Sequence, residues 1–237
     1  MIEVELKFKL PLEAQAYLRS KLLALPSCQK SEATDIDDIY YDTPDFACLQ
    51  QAVFIRIRNH AHLEIKYHEQ DDPAHAHCTE QVFPLPADPT QLKAMGELCT
   101  RFLPTWREAG SVEEILKSNG LRAFIHLKNQ RTRYRYKHLV VCTDRVEGLG
   151  DFLEVETHCQ VESEVEAARA SLQDFIAELS LPSLHAVRVG YVELWLRQHL
   201  PHVYQLGKYR VEDYLEPGAY SLVQNAELRK GQKTIKQ

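Results

Sequence analysis

Ile2-Glu3-Val4-Glu5-Leu6-Lys7-Phe8-Lys9 reads as a strand with two unlike faces. Successive strand side chains alternate sides, so Ile2, Val4, Leu6 and Phe8 share an apolar face while Glu3, Glu5, Lys7 and Lys9 share a charged one. The same charged alternation returns in Phe54-Ile55-Arg56-Ile57-Arg58, in Leu63-Glu64-Ile65-Lys66 and in Phe152-Leu153-Glu154-Val155-Glu156. One such strand is an ordinary solvated surface with cross-strand ion pairs of small value. Four of them predict a sheet whose apolar face carries helices and whose charged face lines a shared cavity. Fixed charges of both signs in one cavity suit a metal ion and a polyanion.

The rest of the chain bounds this reading. Its 237 residues suffice for a sizeable core, and 44% hydrophobic with 26% charged residues is the composition of a soluble globular protein. A formal net charge of −6 argues against nucleic-acid or anionic-membrane partners, though it leaves room for a locally basic pocket. No apolar run approaches the roughly 18 residues of a membrane span. A strand that begins at residue 2 leaves no room for a signal peptide, so the expectation is a cytoplasmic protein. The six cysteines, Cys28, Cys48, Cys78, Cys99, Cys142 and Cys159, include no C-x-x-C pair and are expected to be free thiols.

Punctuation along the chain predicts the remaining elements. Leu18, Leu22 and Leu25 mark a helix over 12–25 that ends at Pro26. Asp38 to Tyr41 reads as a short strand closed by the turn Asp42-Thr43-Pro44-Asp45. Val53 to Arg58 and Leu63 to Tyr67 form a hairpin. Asp71 to His77 is a polar loop, and Thr79 to Leu85 a further strand. Asp88-Pro89 starts a helix with Leu92, Met95, Leu98 and Phe102 as its stripe, and Ser111 with Glu114 makes a capping box for another that stops at Asn119-Gly120. Strands follow at 123–127, 130–136 and 139–144, then the turn Gly148-Leu149-Gly150 into the strand 152–158. Ser163 with Glu166 caps a helix striped by Ala168, Leu172, Phe175, Ile176 and Leu179, and a last helix covers Tyr191 to His199. Strands that neighbour one another along the chain favour an antiparallel sheet or barrel in an α+β domain over 1–200. Residues 201–237 read as a C-terminal appendage, partly disordered.

The chemistry follows from side-chain parity. Glu3 and Glu5 project the same way, about 7 Å apart along the strand. With Glu154 and Glu156 they form two carboxylate pairs that could hold Mg2+ or Mn2+ through oxygen. Lys7, Arg56, Arg58, Lys66 and Arg131 supply bases, and arginine forks bind phosphate oxygens in bidentate fashion. His60 with His62, and His75-Ala76-His77-Cys78, have zinc-like spacings but lack third and fourth ligands at the expected interval.

Glu3-Val4-Glu5-Leu6-Lys7 is similar to the E-x-E-x-K signature of the CYTH superfamily, the triphosphate tunnel metalloenzymes. Further matches run in order: Tyr40-Tyr41-Asp42-Thr43-Pro44, Arg56-Ile57-Arg58, Glu64-Ile65-Lys66, Glu80, Arg131, Asp144, Gly148-Leu149-Gly150-Asp151-Phe152 and Glu154-Val155-Glu156. The resemblance implies an eight-stranded antiparallel β-barrel tunnel with helices packed outside. It implies Glu3, Glu5, Glu154 and Glu156 as metal ligands and Lys7, Arg56, Arg58, Lys66 and Arg131 as a triphosphate clamp. Glu80 and Asp144 become charge partners that hold the bases, and with Lys66 they are the candidate catalytic groups.

Two departures stand out. Where the family has the lysine of a K-x-R, this chain has Asn129, with Lys128 on the opposite parity and Arg133 better phased to compensate. Arg188-Val189-Gly190-Tyr191 is similar to an R-x-S-Y form with glycine for serine, and Arg188 is a candidate phosphate contact. The implied activity is metal-dependent hydrolysis of a triphosphate-bearing small molecule, tripolyphosphate or thiamine triphosphate. The alternatives are a class IV adenylyl cyclase and a non-catalytic polyphosphate- or nucleotide-binding module. A homodimer is an allowed assembly.

Overall fold

Nine strands and six α-helices occupy residues 2–69, 77–181 and 184–208, the residues that this computed structural model describes. In order they are β1 (Ile2–Lys9), α1 (Leu12–Ala24), β2 (Gln29–Asp42), β3 (Phe54–Arg58), β4 (His62–Tyr67), β5 (His77–Pro84), α2 (Pro89–Cys99), α3 (Val112–Ser118), β6 (Arg122–Tyr136), β7 (Leu139–Val146), β8 (Gly150–Cys159), α4 (Val165–Leu179), β9 (His185–Val187), α5 (Tyr191–His199) and α6 (Pro201–Tyr204). Strand order is β5-β4-β3-β2-β6-β7-β8-β1-β9, and a further β5–β1 pairing closes the first eight into an antiparallel barrel. Closure splits the duties of β1. Ile2 to Val4 pair with β5, while Lys7 to Lys9 pair with the added strand β9.

The apolar faces of these strands carry the helices. Val4 and Phe8 of β1 and Leu153 and Val155 of β8 pack beneath Ala14, Leu18 and Leu22 of α1 and Leu172, Phe175 and Ile176 of α4. Those helix residues recur at the spacing of one buried face. On the opposite wall Ile55, Leu63 and Ile65 pack with Met95 and Leu98 of α2 and Ile115 and Leu116 of α3. A third cluster joins the inward-facing Tyr40, Ile125 and Leu127 to Val192 and Leu196 of α5 and Val203 and Tyr204 of α6. These two helices therefore lie across one end of the barrel interior. No helix among the described residues is long and apolar enough to cross a membrane.

Several elements differ from the sequence expectation. The strands expected at 123–127 and 130–136 are one strand, β6, and the short strand expected at 38–41 is the last part of β2. The polar stretch 29–35 is exposed and has no apolar face to reveal it; it is held by backbone pairing with β6, through bulges at Lys30/Ala33 and Tyr40/Tyr41. Ser163 does not cap α4, which starts at Val165 after a 3-10 turn, and Glu164 instead accepts the Gln160 N–H at 3.0 Å. At α3 the Ser111 hydroxyl accepts the Glu114 N–H as expected, but the Glu114 carboxylate reaches Gly110 N–H rather than completing the box. The polar segment 71–76 and the tail 209–237 lie outside the described residues, while Val203 and Tyr204 of the expected appendage are buried against the barrel. All six cysteines are free thiols.

Leu18 is fully buried between α1 and the barrel. Leu18→Ala is expected to lower the unfolding free energy by about 2–5 kcal/mol through lost burial and the cavity left behind. Denaturant unfolding followed by circular dichroism measures it.

Candidate active site

The closed barrel sets inward-facing charges directly opposite one another on adjacent strands. Glu5 pairs in register with Glu156, Lys7 with Glu154, Asp38 with Arg58, Arg56 with Glu64, Lys66 with Glu80, and Arg131 with Asp144. They line or back a cavity of about 270 Å³, just below the ~300–1,000 Å³ common for small-molecule sites. Such a size suits a compact ligand rather than a macromolecule.

The bases are fixed by their acids. Arg56 donates to Glu64 at 2.7 Å, to the Tyr40 hydroxyl at 3.0 Å and to Glu80 at 3.3 Å. Arg58 grips both Asp38 oxygens, at 2.8 and 2.7 Å. The Arg131 fork spans both oxygens of Asp144, and the same guanidinium also reaches Glu154. Lys66 donates to Glu3 at 2.8 Å and lies 3.7 Å from Glu80. Lys7 lies 3.0 Å from Glu5 and 3.2 Å from Glu154, with its ammonium 4.7 Å from the centre of the Tyr191 ring. Burial opposes the charge on Lys7, Lys66 and Arg131, but neighbouring carboxylates outweigh it and hold all three protonated. Burial likewise opposes ionisation of Glu154, and Arg131 and Lys7 override it, holding that carboxyl well below its usual range.

At one end of this array Glu3, Glu5 and Glu156 offer carboxylate oxygens that all lie within 4.8 Å of one another, the one such metal-capable group among the described residues. Glu154 is not in the group; it is engaged by Lys7 and Arg131. Burial and then the neighbouring Glu3 push Glu156 up to about 7. Burial raises Glu5 too, while Lys66 more than offsets burial at Glu3 and brings that group down.

The other expected residues fall on both sides of the cavity wall. Glu80 and Asp144 lie against the bases they were expected to hold. Arg133 lines the cavity, and among the described residues no carboxylate pairs with its side chain. Asn129 also lines it, with Oδ1 buried and unpartnered, while Lys128 is exposed on the outside. Arg188 is exposed and lies outside the lining. Its neighbour Tyr191 lines the cavity instead and donates to Asp144 at 2.7 Å. Asp38, Tyr40, Tyr191 and Glu193 are site residues beyond the expected set. The parity of Asp38 and Tyr40 on β2 could have revealed the first two, whereas Glu193 stands in a helix where strand parity gives no signal.

The sequence matches the CYTH domain across residues 1–191. The chain belongs to the CYTH family. No curated protein matches it. Among solved structures it is similar to the PH1819 protein from Pyrococcus horikoshii OT3, at 23% identity over 83% of this chain and 99% of that one, with a TM-score of 0.61. A candidate adenylate cyclase from Vibrio parahaemolyticus matches at 18% identity over 76% of this chain and 90% of that one, TM-score 0.53. HpAC1 from Hippeastrum, a candidate adenylyl cyclase whose structure revealed a dominant triphosphatase activity, matches at 17% identity over 88% and 96%, TM-score 0.50. At these identities the likeness is one of fold.

The raised Glu156 has a consequence for this CYTH barrel. Its folded value of about 7 exceeds the ordinary 4.5, so the folded state keeps a proton that the unfolded chain releases. That stabilisation is complete below about 4.5 and is lost as pH rises toward 7. Glu193, also near 7, acts in the same direction. Metal-free protein is therefore expected to lose stability across this window, and Glu156→Gln to remove part of the slope. Denaturant titrations at a series of pH values measure it.

Proposed function

We propose that this protein hydrolyses a triphosphate compound with the help of a divalent cation, inorganic tripolyphosphate or thiamine triphosphate being the substrate. One juxtaposition carries the reading: the Glu3, Glu5 and Glu156 group stands in the same cavity as Arg56, Arg58, Arg131 and Arg133. Three clustered carboxylates are an oxygen-only donor set of the kind Mg2+ and Mn2+ take. A bound divalent cation would offset charge on phosphate oxygens.

The chain's own part is binding and electrostatics. Arg56, Arg58 and Arg131 are held by carboxylates before any ligand arrives, so they meet phosphate oxygens without reorganising. Preorganised charge of this kind supplies most of the catalysis in phosphoryl transfer. Arg133, which no carboxylate of the described residues pairs with, adds a further guanidinium to the same wall. Lys66, kept protonated by Glu3 and Glu80, binds and orients rather than taking up a proton. The Cys78 thiol lines the cavity, but burial pushes it up to about 12, so no thiolate nucleophile is present at neutral pH. Attack by water, without a covalent intermediate, accords with this lining. Tripolyphosphate needs only the charged cavity. Thiamine triphosphate also needs an apolar contact, for which Phe54 and Tyr67 on the lining are suited.

Incubation with tripolyphosphate, thiamine triphosphate and ATP under magnesium or manganese is expected to release orthophosphate. Glu3→Gln combined with Glu156→Gln should abolish metal-dependent turnover while circular dichroism shows the barrel still folded. Arg58→Ala should lower kcat about 100-fold, the effect of losing one preorganised donor. Cyclic AMP as the dominant product from ATP would replace the hydrolase reading with a cyclase. Tight binding of tripolyphosphate with no cleavage under any divalent ion would replace it with a binding module.

A further inference from the structure

Glu193 is the acid of the cavity that neither the carboxylate group nor the clamp accounts for. It stands in the first turn of α5, is only 2% exposed, and lines the cavity beside Gly190, Tyr191 and Val192. Its Oε2 is buried with no hydrogen-bond partner among the described residues. Glu3, Glu5, Asp38, Glu64, Glu80, Asp144 and Glu154 each have an arginine or lysine at ion-pair distance, and Glu156 belongs to the carboxylate group. Glu193 has neither. The nearest cation, Lys7, is already engaged by Glu5 and Glu154 and by the face of Tyr191.

The neighbouring chain leaves Oε2 its space. A Cβ added at Gly190 would meet that oxygen at 2.7 Å, so any larger residue there would displace the carboxyl. A buried carboxyl with no cation at ion-pair distance is disfavoured as an anion. A neutral carboxyl has an O–H to donate, which the acids of the cavity that are ionised against arginine or lysine do not.

Building on the triphosphate reading above, we propose that Glu193 is a phosphate-binding residue: a neutral acid whose carboxyl O–H donates a hydrogen bond to an oxygen of the bound phosphate chain. No bond is broken in this step. A phosphate anion placed beside the group favours its protonated form further, and the proton comes from solvent on binding. The charged and titratable groups around the start of α5 are Lys7 and Glu5 of β1 and Tyr40 of β2, with Asp144 of β7 and Glu154 of β8 behind Tyr191. Burial pushes Glu193 up to about 7, with the backbone N–H groups at the helix start and Lys7 pulling the other way. Part of the population is therefore ionised near neutrality and takes up a proton when the anion arrives. The bland role, an acid at the third position of a helix bonding to its first N–H groups, is one that glutamine fills equally well.

Calorimetric titration of the full chain with magnesium and bis-methylene triphosphate, an analogue that is not cleaved, separates the two. Run at pH 7.5 in buffers of different ionisation enthalpy, it counts protons taken up. The wild type should take up a measurable fraction of a proton more per ligand than Glu193→Gln, as a group near 7 becomes fully protonated. Glu193→Gln, with an amide donor in the same place, should keep affinity within about threefold. Glu193→Ala should lose about tenfold or more, the scale of a hydrogen bond to a charged group. Gly190→Ala, which leaves the carboxyl in the chain but forces it aside, should also lose the extra proton. Equal proton uptake by wild type and Glu193→Gln overturns the assignment. Failure of the wild type to bind the analogue removes the triphosphate reading itself, and this one with it.

Discussion

Everything in this molecule depends on the register in which the closed barrel sets an inward base opposite an inward acid. Arg131 against Asp144, Arg56 against Glu64 and Lys7 against Glu154 are buried pairs, and each exists only because two particular strands lie side by side. Burying such charges is not a cheap source of stability. Their desolvation often exceeds their attraction, and well-packed apolar residues of the same volume would hold a barrel as well or better. What the pairs create is a polar interior whose arginines are oriented before any ligand enters. The apolar outer faces, clamped by α1 and α4 on one wall and by α2 and α3 on the other, supply the burial that makes this interior tolerable.

The outer faces explain how much was legible in the chain. In β1, β3, β4 and β8 a strict period of two separates core from cavity, so the strand, its faces and the inward charges could be read together. The ribbon of β2 and β6 hid for the opposite reason. Residues 29–35 have no apolar face, and pairing of one backbone with the other holds them. Parity also says which way a side chain points but not what stands beside it. Glu154 and Glu156 share a face, yet only the β1–β8 register decides that Glu156 stands opposite Glu5 while Glu154 stands opposite Lys7. The split between one carboxylate that joins the oxygen cluster and one that neutralises bases is thus a property of the pairing. Arg188, Tyr191 and Glu193 depend on how a helix start meets the barrel, and strand periodicity carries no information about that.

The cavity is graded along its length. Glu3, Glu5 and Glu156 gather excess negative charge at one place, where two acids lean on Lys66 and Lys7 and the third is pushed toward neutrality. Arg56, Arg58 and Arg131, each held by carboxylates, stand in the same cavity with Arg133. Charges of both signs in one cavity complement a polyanion that carries a cation. Asn129, where the family resemblance leads one to expect a lysine, leaves an amide in that wall, and Arg133 faces the same cavity from two residues further along the strand.

The most direct measurement is anomalous diffraction from crystals grown with manganese and the uncleaved bis-methylene triphosphate. Manganese density is expected among Glu3, Glu5 and Glu156, and phosphates ranged along Arg56, Arg58, Arg131 and Arg133. Manganese held elsewhere, or phosphates bound outside the barrel with those arginines still turned to their acids, would contradict the triphosphate reading.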